Sequence, residues 1–351
     1  MSTHWLTTAG LEASTLRAET RRMCDDTTEA ENEAYLQRLR LSRREVGMGA
    51  GATLAAMLTG CASPSAPAQP PEPSLPPPVV PPAPQPAAAA PVASDAPPEP
   101  SAAAPAAVAS RRVTIDTPDG KAEAFFVAPK QGKHPGVLLW PDIAGLREAY
   151  TTMATRLAGE GYAVLAVNHY YRSTKLPVLA TFADFRTEAG KARIEPMKAA
   201  LTPDGIARDG AAFVAWLDRQ PEVDTAKKLG SSGYCMTGSY TFRTAVAAPE
   251  RVGAVASFHG GGLVTGDPTS PHTLFAKMKA AALICIAQSD DEREPETKTK
   301  LRKAADAAGV PAEIEVYPAQ HGWCTLDAPI YDKEQAERAW ARMLATFQRY
   351  L

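Results

Sequence analysis

From Arg111 onward, short apolar runs alternate with segments of helical periodicity. RRVTIDTP and KAEAFFVAP alternate apolar and polar residues around a Pro-Asp-Gly turn, a pattern that predicts an antiparallel hairpin. GVLLW and GYAVLAVNHY contain the continuous apolar runs that are typical of strands buried on both faces of a sheet. Helical periodicity is predicted over residues 148–160 and 203–219, and again from Asp332 to the end of the chain, where apolar residues recur on one face.

This alternation predicts an α/β fold in which one mostly parallel sheet is covered by helices on both faces, a three-layer sandwich. A closed barrel would need eight regular strand-helix units, and the opening hairpin does not fit that arrangement. In open sheets of this kind, functional sites lie at the carboxyl ends of the strands. The polar residues that follow the predicted strands are therefore the first candidates for chemistry.

Residues 62–110 have a different composition from the rest of the chain. A run of Ala, Pro, Ser and Val, including PSLPPPVVPPAPQPAAAAP, holds most of the 32 prolines. Such a run cannot bury apolar surface against itself, so it predicts an extended, disordered tether. The folded domain is then predicted to cover residues 111–351, a length that suits one domain.

Residues 1–61 are predicted to be a leader. Arg43 and Arg44 precede the uncharged stretch VGMGAGATLAAMLTG, which ends at Cys61. The stretch is shorter than the roughly 20 residues that span a bilayer, and its order of charged, apolar and small residues is that of a secretion signal. The paired arginines resemble a twin-arginine export signal, and LTGC resembles the lipobox of bacterial lipoproteins.

This pattern predicts an exported protein, periplasmic or anchored to the envelope through lipid on Cys61. A membrane contact is expected only through that anchor. The alternative is a chance apolar segment with Cys61 unmodified. Because the charged region before the arginines is unusually long, Met23 is a candidate for the true start.

Charge and cysteine content exclude several other classes of protein. A net charge of −2 gives no field that would attract nucleic acid. Five cysteines spread over the chain do not form the pattern of a disulfide framework. No C-x-x-C or His-rich spacing is present, so no metal site is predicted.

Four predicted strands end in residues that can carry chemistry. Asp142 follows VLLW, Cys235 follows KKLGSSGY, Asp290 and Asp291 follow ALICIAQS, and His321 follows EVYPAQ. A thiol needs a base to become a thiolate, and the base needs a carboxylate that fixes its tautomer. The order nucleophile, acid, histidine is that of α/β-hydrolases.

The segment GYCMTG around Cys235 is similar to the G-x-nucleophile-x-G turn, which holds a nucleophile in a strained conformation at the start of a helix. Helix-start N–H groups lower a thiol pKa and bind an oxyanion. Thr237 stands where the motif has its second glycine, and Gly238 comes one place later. The alternative for Cys235 is a buried structural cysteine.

Together with FHGGGLV, AQSDDEREPE and HGWC, these residues resemble the dienelactone hydrolase (carboxymethylenebutenolidase) family of α/β-hydrolases, over residues 111–351. The resemblance implies that Cys235 is the nucleophile and His321 the base. It makes Asp290 the orienting acid, with Asp291 as the alternative.

The resemblance also implies supporting roles. The backbone N–H groups of Ile143 and Met236 would form an oxyanion hole, and Asp142 would pair with the resting nucleophile. Arg172 would bind a substrate carboxylate, since a guanidinium can form two parallel hydrogen bonds to it. A second arginine that the family carries shortly after the histidine is absent, and Trp323 stands nearby as an apolar wall.

Each of these supporting residues has a structural alternative. Asp142 could be a turn residue, Arg172 a solvated arginine and Trp323 a core side chain. His259 and His272 are interpreted as structural histidines that could lie near the mouth of the site.

The predicted activity is hydrolysis of a small-molecule ester or lactone through a thioester, with no cofactor, by a monomer or small homo-oligomer. Two alternatives remain open. One is a general envelope carboxylesterase that acts on a larger ester. The other is a catalytically silent envelope-anchored protein that uses the fold for binding.

Overall fold

A computed structural model of the chain describes residues 28–40 and 106–351. Residues 28–36 and 106–351 belong to one compact unit, while Gln37–Arg40 belong to a second unit. The strands are β1 (Val108–Thr117), β2 (Gly120–Pro129), β3 (Gly136–Trp140), β4 (Ala163–Val167), β5 (Leu229–Tyr234), β6 (Val252–Phe258), β7 (Ala281–Ala287) and β8 (Ala312–Tyr317). The helices are α1 (28–40), α2 (Glu148–Gly159), α3 (Phe182–Phe185), α4 (Glu188–Ala199), α5 (Pro203–Leu217), α6 (Gly238–Ala247), α7 (Pro271–Leu274), α8 (Gln288–Arg293), α9 (Thr297–Ala308) and α10 (Lys333–Tyr350).

The strands form one sheet in the order β1-β2-β4-β3-β5-β6-β7-β8. β1 and β2 form the predicted antiparallel hairpin, and β2 also pairs antiparallel with β4. All other neighbouring strands are parallel. The carboxyl ends of β3, β5, β6, β7 and β8 therefore lie at the same edge of the sheet.

Both faces of the sheet are buried, and each face has its own core. In β3, Leu138 and Trp140 belong to one apolar cluster, and Val137 and Leu139 to the other, as the two-residue period of a strand requires. Buried residues of α5, α6 and α9 pack in the first cluster, and those of α2 and α10 in the second. The predicted three-layer α/β sandwich with a mostly parallel sheet is confirmed.

The closing helix shows how the pattern produces this packing. α10 begins after Asp332, whose side chain accepts the N–H of Gln335 and so caps the helix. Its apolar stripe packs on the sheet through Ala339, Trp340 and Met343, which are all buried. The predicted stripe is therefore the core-facing side of the helix.

Several predictions lie outside the described residues. These are the export signal, lipidation of Cys61, the start at Met23 and most of the Ala/Pro-rich tether. The predicted end of the tether was wrong, because residues 108–110 pair with β2 as the beginning of β1. Among the helices that the structure describes, none is long and apolar enough to span a bilayer. What the sequence did not indicate is that residues 28–36, within the predicted leader, belong to one compact unit with residues 106–351.

Candidate active site

Cys235 lies on a strained turn between β5 and α6. Its φ angle is +56°, one of two positive values among the described non-glycine residues, in a region that side chains rarely adopt. A single 3₁₀ turn, Cys235–Thr237, leads directly into α6. The turn points the cysteine out of the sheet edge, as the GYCMTG motif predicted.

Thr237 closes this turn through its hydroxyl. Its Oγ1 accepts the N–H of Tyr234 at 3.0 Å and lies within hydrogen-bond distance of the carbonyls of Trp140 (2.9 Å) and Tyr234 (3.0 Å). Gly238 takes the position of close approach, because a Cβ there would lie 2.6 Å from the Cα of Gly260. Thr237 thus stabilises the turn through its hydroxyl. The close approach of backbone that the motif places at its second glycine occurs at Gly238, one residue later.

His321 follows β8 and contacts Asp290 at the start of α8. Its Nδ1 lies 2.8 Å and 3.0 Å from the two carboxylate oxygens of Asp290. The backbone N–H of His321 donates to Ser289 Oγ at 3.0 Å. Because Ser289 lies in the first turn of α8, this bond holds the backbone of His321 against the helix that carries Asp290. Asp291, the alternative acid, forms an ion pair with Lys298 at 2.6 Å instead. The geometry favours Asp290 as the partner of the histidine.

The sulfur of Cys235 is part of a disulfide bond. Cys285 and Cys324, the other cysteines in the described residues, are buried free thiols. Burial raises the pKa of both free thiols. The cysteine spacing gave no indication of this bond. Because a disulfide sulfur is not a thiolate, nucleophilic chemistry at Cys235 requires the reduced protein.

Asp142 follows β3 and is held by Arg147, a residue that the sequence did not single out. Arg147 donates to both oxygens of Asp142 at 2.7 Å and 2.9 Å, and to both oxygens of Asp327. Burial opposes the positive charge, but the field of Asp142 and the hydrogen bonds to the two carboxylates outweigh it and raise the pKa of Arg147. Asp142 is therefore paired with an arginine in this structure.

The two backbone N–H groups that were predicted to form an oxyanion hole belong to residues that follow β5 and β3. That of Met236 belongs to the first turn of a helix, where N–H groups have no intrahelical partner. That of Ile143 follows β3, and the Ile143 carbonyl is held by the Tyr170 hydroxyl at 2.9 Å. These are the two donors that the sequence predicted.

Arg172 and Trp323 do not have the predicted contacts with substrate space, although the Trp323 ring packs edge-on against His259, with ring centroids 5.2 Å apart. Arg172 forms ion pairs with Asp209 and Asp119, so its guanidinium is engaged in a separate cluster beside the hairpin. Trp323 is fully buried and stacks on Tyr317, with ring centroids 5.3 Å apart. Neither side chain lines the cavity above Cys235. The structural alternative describes Trp323, which is a core side chain, whereas Arg172 is held in ion pairs and is not a solvated arginine.

His259, interpreted from the sequence as structural, lies beside the nucleophile. Its Nδ1 accepts the N–H of Cys235 at 3.1 Å, so the proton of the neutral ring is on Nε2. Nε2 is buried with no hydrogen-bond partner in the described residues. Burial, together with neighbouring His321, lowers the pKa of His259 well below its usual range. His272, by contrast, bonds Ser270 and lines no part of the cavity.

One cavity joins these groups at the carboxyl edge of the sheet. Its lining includes Cys235, His259, His321 and Asp142. Within residues 28–40 and 106–351, no group of three or more His, Cys, Asp or Glu side chains is placed to hold a metal ion. The cavity lining thus includes a cysteine and a histidine whose ring is paired with an aspartate.

Comparison with known proteins agrees with this geometry. The sequence model of the dienelactone hydrolase family matches residues 122–351. The chain is similar to a carboxymethylenebutenolidase homologue of Escherichia coli K12, at 29% identity over 70% of this chain and 88% of that one. It is also similar to the carboxymethylenebutenolidase of Rhodococcus opacus, at 26% identity over 63% of this chain and 83% of that one.

Among solved structures, the fold is similar to that of a dienelactone hydrolase homologue from Klebsiella pneumoniae. The TM-score is 0.60 at 24% identity, covering 70% of this chain and all of the other. The dienelactone hydrolase from Anabaena variabilis gives a TM-score of 0.52 at 16% identity, over 70% of this chain and 99% of that one. At these identities the likeness establishes the fold.

Proposed function

Because the chain belongs to the dienelactone hydrolase family, and is thus a hydrolase of esters or lactones, we propose that it works through a Cys235-His321-Asp290 triad and a thioester. The observation that carries the proposal is the pair formed by His321 Nδ1 and Asp290 at 2.8 Å, at the edge of the cavity that Cys235 lines. The ion pair of Asp291 with Lys298 supports Asp290 rather than Asp291 in this role.

In the proposed first step, His321 removes the proton of the Cys235 thiol as the sulfur attacks the carbonyl carbon of the substrate. A carbon-sulfur bond forms, and the carbonyl electrons move to oxygen. The N–H groups of Ile143 and Met236 stabilise that oxyanion. The ester carbon-oxygen bond then breaks, and the leaving oxygen takes the proton from His321.

In the proposed second step, water attacks the thioester. His321 accepts a proton from the water and returns it to the sulfur as the carbon-sulfur bond breaks. Asp290 keeps Nδ1 protonated, so that Nε2 is the atom that exchanges protons. The acid product leaves and the Cys235 thiol is regenerated. The step consumes one water and needs no cofactor.

The substrate we propose is a small activated ester or lactone. A thiolate forms an acyl-enzyme readily from such substrates, whose leaving groups are good. Arg172 cannot grip a substrate carboxylate in this arrangement, because Asp209 and Asp119 hold its guanidinium. The proposal therefore does not include a carboxylate contact from Arg172.

The test is turnover of p-nitrophenyl acetate and of enol-lactones by the full chain, reduced beforehand with a phosphine and desalted. We expect Cys235→Ala to lower kcat/KM by roughly 10³-fold or more, since removal of a nucleophile leaves only binding and oxyanion stabilisation. Cys324→Ala, which removes a buried thiol outside the cavity, is the matched control and retains activity. Equal turnover by the wild-type protein and Cys235→Ala would refute the mechanism.

A further inference from the structure

The mouth of the candidate active site is covered by α1 of the same chain. Asn32 donates from Nδ2 to the carbonyl oxygen of His321 at 3.3 Å. Thr28 and Asn32 are buried, at 2% and 8% exposure. Side chains of α1 line the cavity together with those of the site: Thr28, Glu29, Asn32 and Leu36.

The first anchor of α1 is Arg186, which itself lines the cavity. Its Nε lies 2.6 Å from Glu29 Oε2, and its Nη2 lies 3.1 Å from Glu33 Oε2. The two glutamates are one helical turn apart, so a single guanidinium binds one face of the helix. Arg186 and Glu29 are largely shielded from solvent, at 31% and 13% exposure, which weakens screening of the pair.

The second anchor is Arg293 on α8. Its Nη1 donates to Thr28 Oγ1 at 2.9 Å and lies 3.4 Å from Glu31 Oε2. Its Nη2 donates to Asp290, the proposed acid of the triad. Arg293 therefore links the beginning of α1 directly to the Asp290-His321 pair.

Beneath α1, the remaining cavity has a volume of about 20 Å³, which is room for roughly one water molecule. An ester with an acyl group and a leaving group does not fit in that space. We propose, on the basis of the function proposed above, that residues 28–36 are an intramolecular inhibitor: an acidic helix that docks on Arg186 and Arg293 and closes the site until it leaves.

Two further features agree with a closed resting state. The Cys235 sulfur is part of a disulfide bond. The closed state therefore lacks both the room for a substrate and a thiol at Cys235. α1 also lies within the predicted leader, residues 1–61, so removal of that leader would open the site. Residues 28–36 would thus act as part of a pro-segment, and the enzyme would become active when processing of the chain removes them.

The experiment uses the full chain, reduced with a phosphine; the phosphine becomes its oxide and the two sulfurs gain the protons of one water. Ala34→Pro breaks α1 at an exposed position, because proline removes a helical hydrogen bond and clashes with the preceding turn. Two rates are measured after desalting: alkylation of Cys235 by iodoacetamide, followed by peptide mass spectrometry, and hydrolysis of p-nitrophenyl acetate. Ala34→Ser is the control.

We expect Ala34→Pro to raise the alkylation rate of Cys235 at least about tenfold, with a parallel rise in kcat/KM, since the equilibrium shifts toward the open site. Ala34→Ser should stay within about twofold of wild type. Equal alkylation rates in all three proteins would overturn the proposal. Faster alkylation without turnover would support the inhibitor and refute the proposed hydrolase mechanism.

A second variant keeps the helix and weakens only its anchors. In Glu29→Gln/Glu33→Gln, loss of both charges facing Arg186 should raise the alkylation rate about threefold to tenfold, because the charge-assisted bonds are lost. The matched control is Glu188→Gln/Glu195→Gln, whose glutamates form exposed i,i+3 pairs on α4. If the control rises as much as the test variant, docking through Arg186 is wrong.

Discussion

His321 and His259 lie on either side of the carboxyl end of β7, with ring centroids 5.0 Å apart, yet their surroundings differ. His321 has a carboxylate, Asp290, on its Nδ1. His259 has a backbone N–H on the same atom, from Cys235. A carboxylate supports a positive imidazole, whereas an N–H donor opposes one. Two histidines in one cavity are thus suited to opposite tasks.

The difference shows that proximity to a nucleophile does not make a histidine a base. His259 is hydrogen-bonded directly to Cys235, because its Nδ1 accepts the backbone N–H of that residue. Burial and the neighbouring His321 keep it neutral, so it can position the turn but cannot accept the thiol proton. In the proposed mechanism His321 is the base, because the Asp290 carboxylate contacts its Nδ1.

The largest expected effect comes from replacing Asp290, whose carboxylate contacts Nδ1 of His321. Asp290→Asn should lower kcat/KM of the reduced enzyme by roughly 10³ to 10⁴-fold, because the amide can present its N–H₂ group to Nδ1 and favour the wrong tautomer. Asp291→Asn, which loses only the ion pair with Lys298, should lower it less than about threefold, as surface pairs contribute little. Steady-state kinetics with p-nitrophenyl acetate measures both, and the reverse order would reassign the acid.

The residues of the proposed triad show how much of the candidate site could be predicted from the sequence alone. Cys235, Asp290 and His321 were predicted because each comes at or shortly after the end of a predicted strand, and parallel strand ends meet at one edge of the sheet. The choice of Asp290 over Asp291 rested on resemblance to a family motif. The structure adds the physical reason, which is that Lys298 on α9 holds Asp291.

Other features could not be predicted, because local sequence does not say what a charged side chain meets. Arg172 and Arg147 both follow a strand end, and each pairs with two aspartates. Only Arg147 pairs with an aspartate that lines the site, and its second partner, Asp327, is 180 residues away. No period or spacing carries that information.

The packing of α1 was missed for the same reason. Residues 28–40 have few apolar side chains, and the arginines that anchor them lie more than 150 residues along the chain. A helix that docks through polar contacts has no apolar stripe to reveal it. The predicted leader therefore gave no sign of a folded role.

The difference between His259 and His321 can also be tested through the pH dependence of the free energy of unfolding, to which His259 contributes. The unfolded histidine takes up a proton below about pH 6.5, while the folded one stays neutral, because burial lowers its pKa. The stability contribution is therefore complete above that pH and is lost as the pH falls. Where the unfolded histidine is protonated and the folded one is neutral, the free energy of unfolding changes by about 1.4 kcal/mol per pH unit.

His259→Phe should remove this slope from the free energy of unfolding, as measured by urea titration from pH 7 to pH 4. His169→Phe is the matched control, because burial also lowers the pKa of His169, to about 3, at a site outside the cavity. Each variant should lose the part of the slope that its own histidine contributes, but only His259→Phe should also lower kcat/KM, since it removes the acceptor of the Cys235 N–H. An unchanged slope in His259→Phe would show that this histidine is protonated in the folded protein.

The smallest expected effect concerns the turn itself, where Thr237 replaces the glycine of the family motif. Thr237→Val keeps the shape but removes the hydroxyl that accepts the buried Tyr234 N–H. We expect the free energy of unfolding to fall by about 1 to 2 kcal/mol, because a buried donor is left without a partner. Thr346→Val is the control, since its hydroxyl only bonds a carbonyl within α10. Urea titration at pH 7 compares the two. Equal losses would mean that the Thr237 hydroxyl adds nothing specific to the turn, and that Gly238 alone closes it.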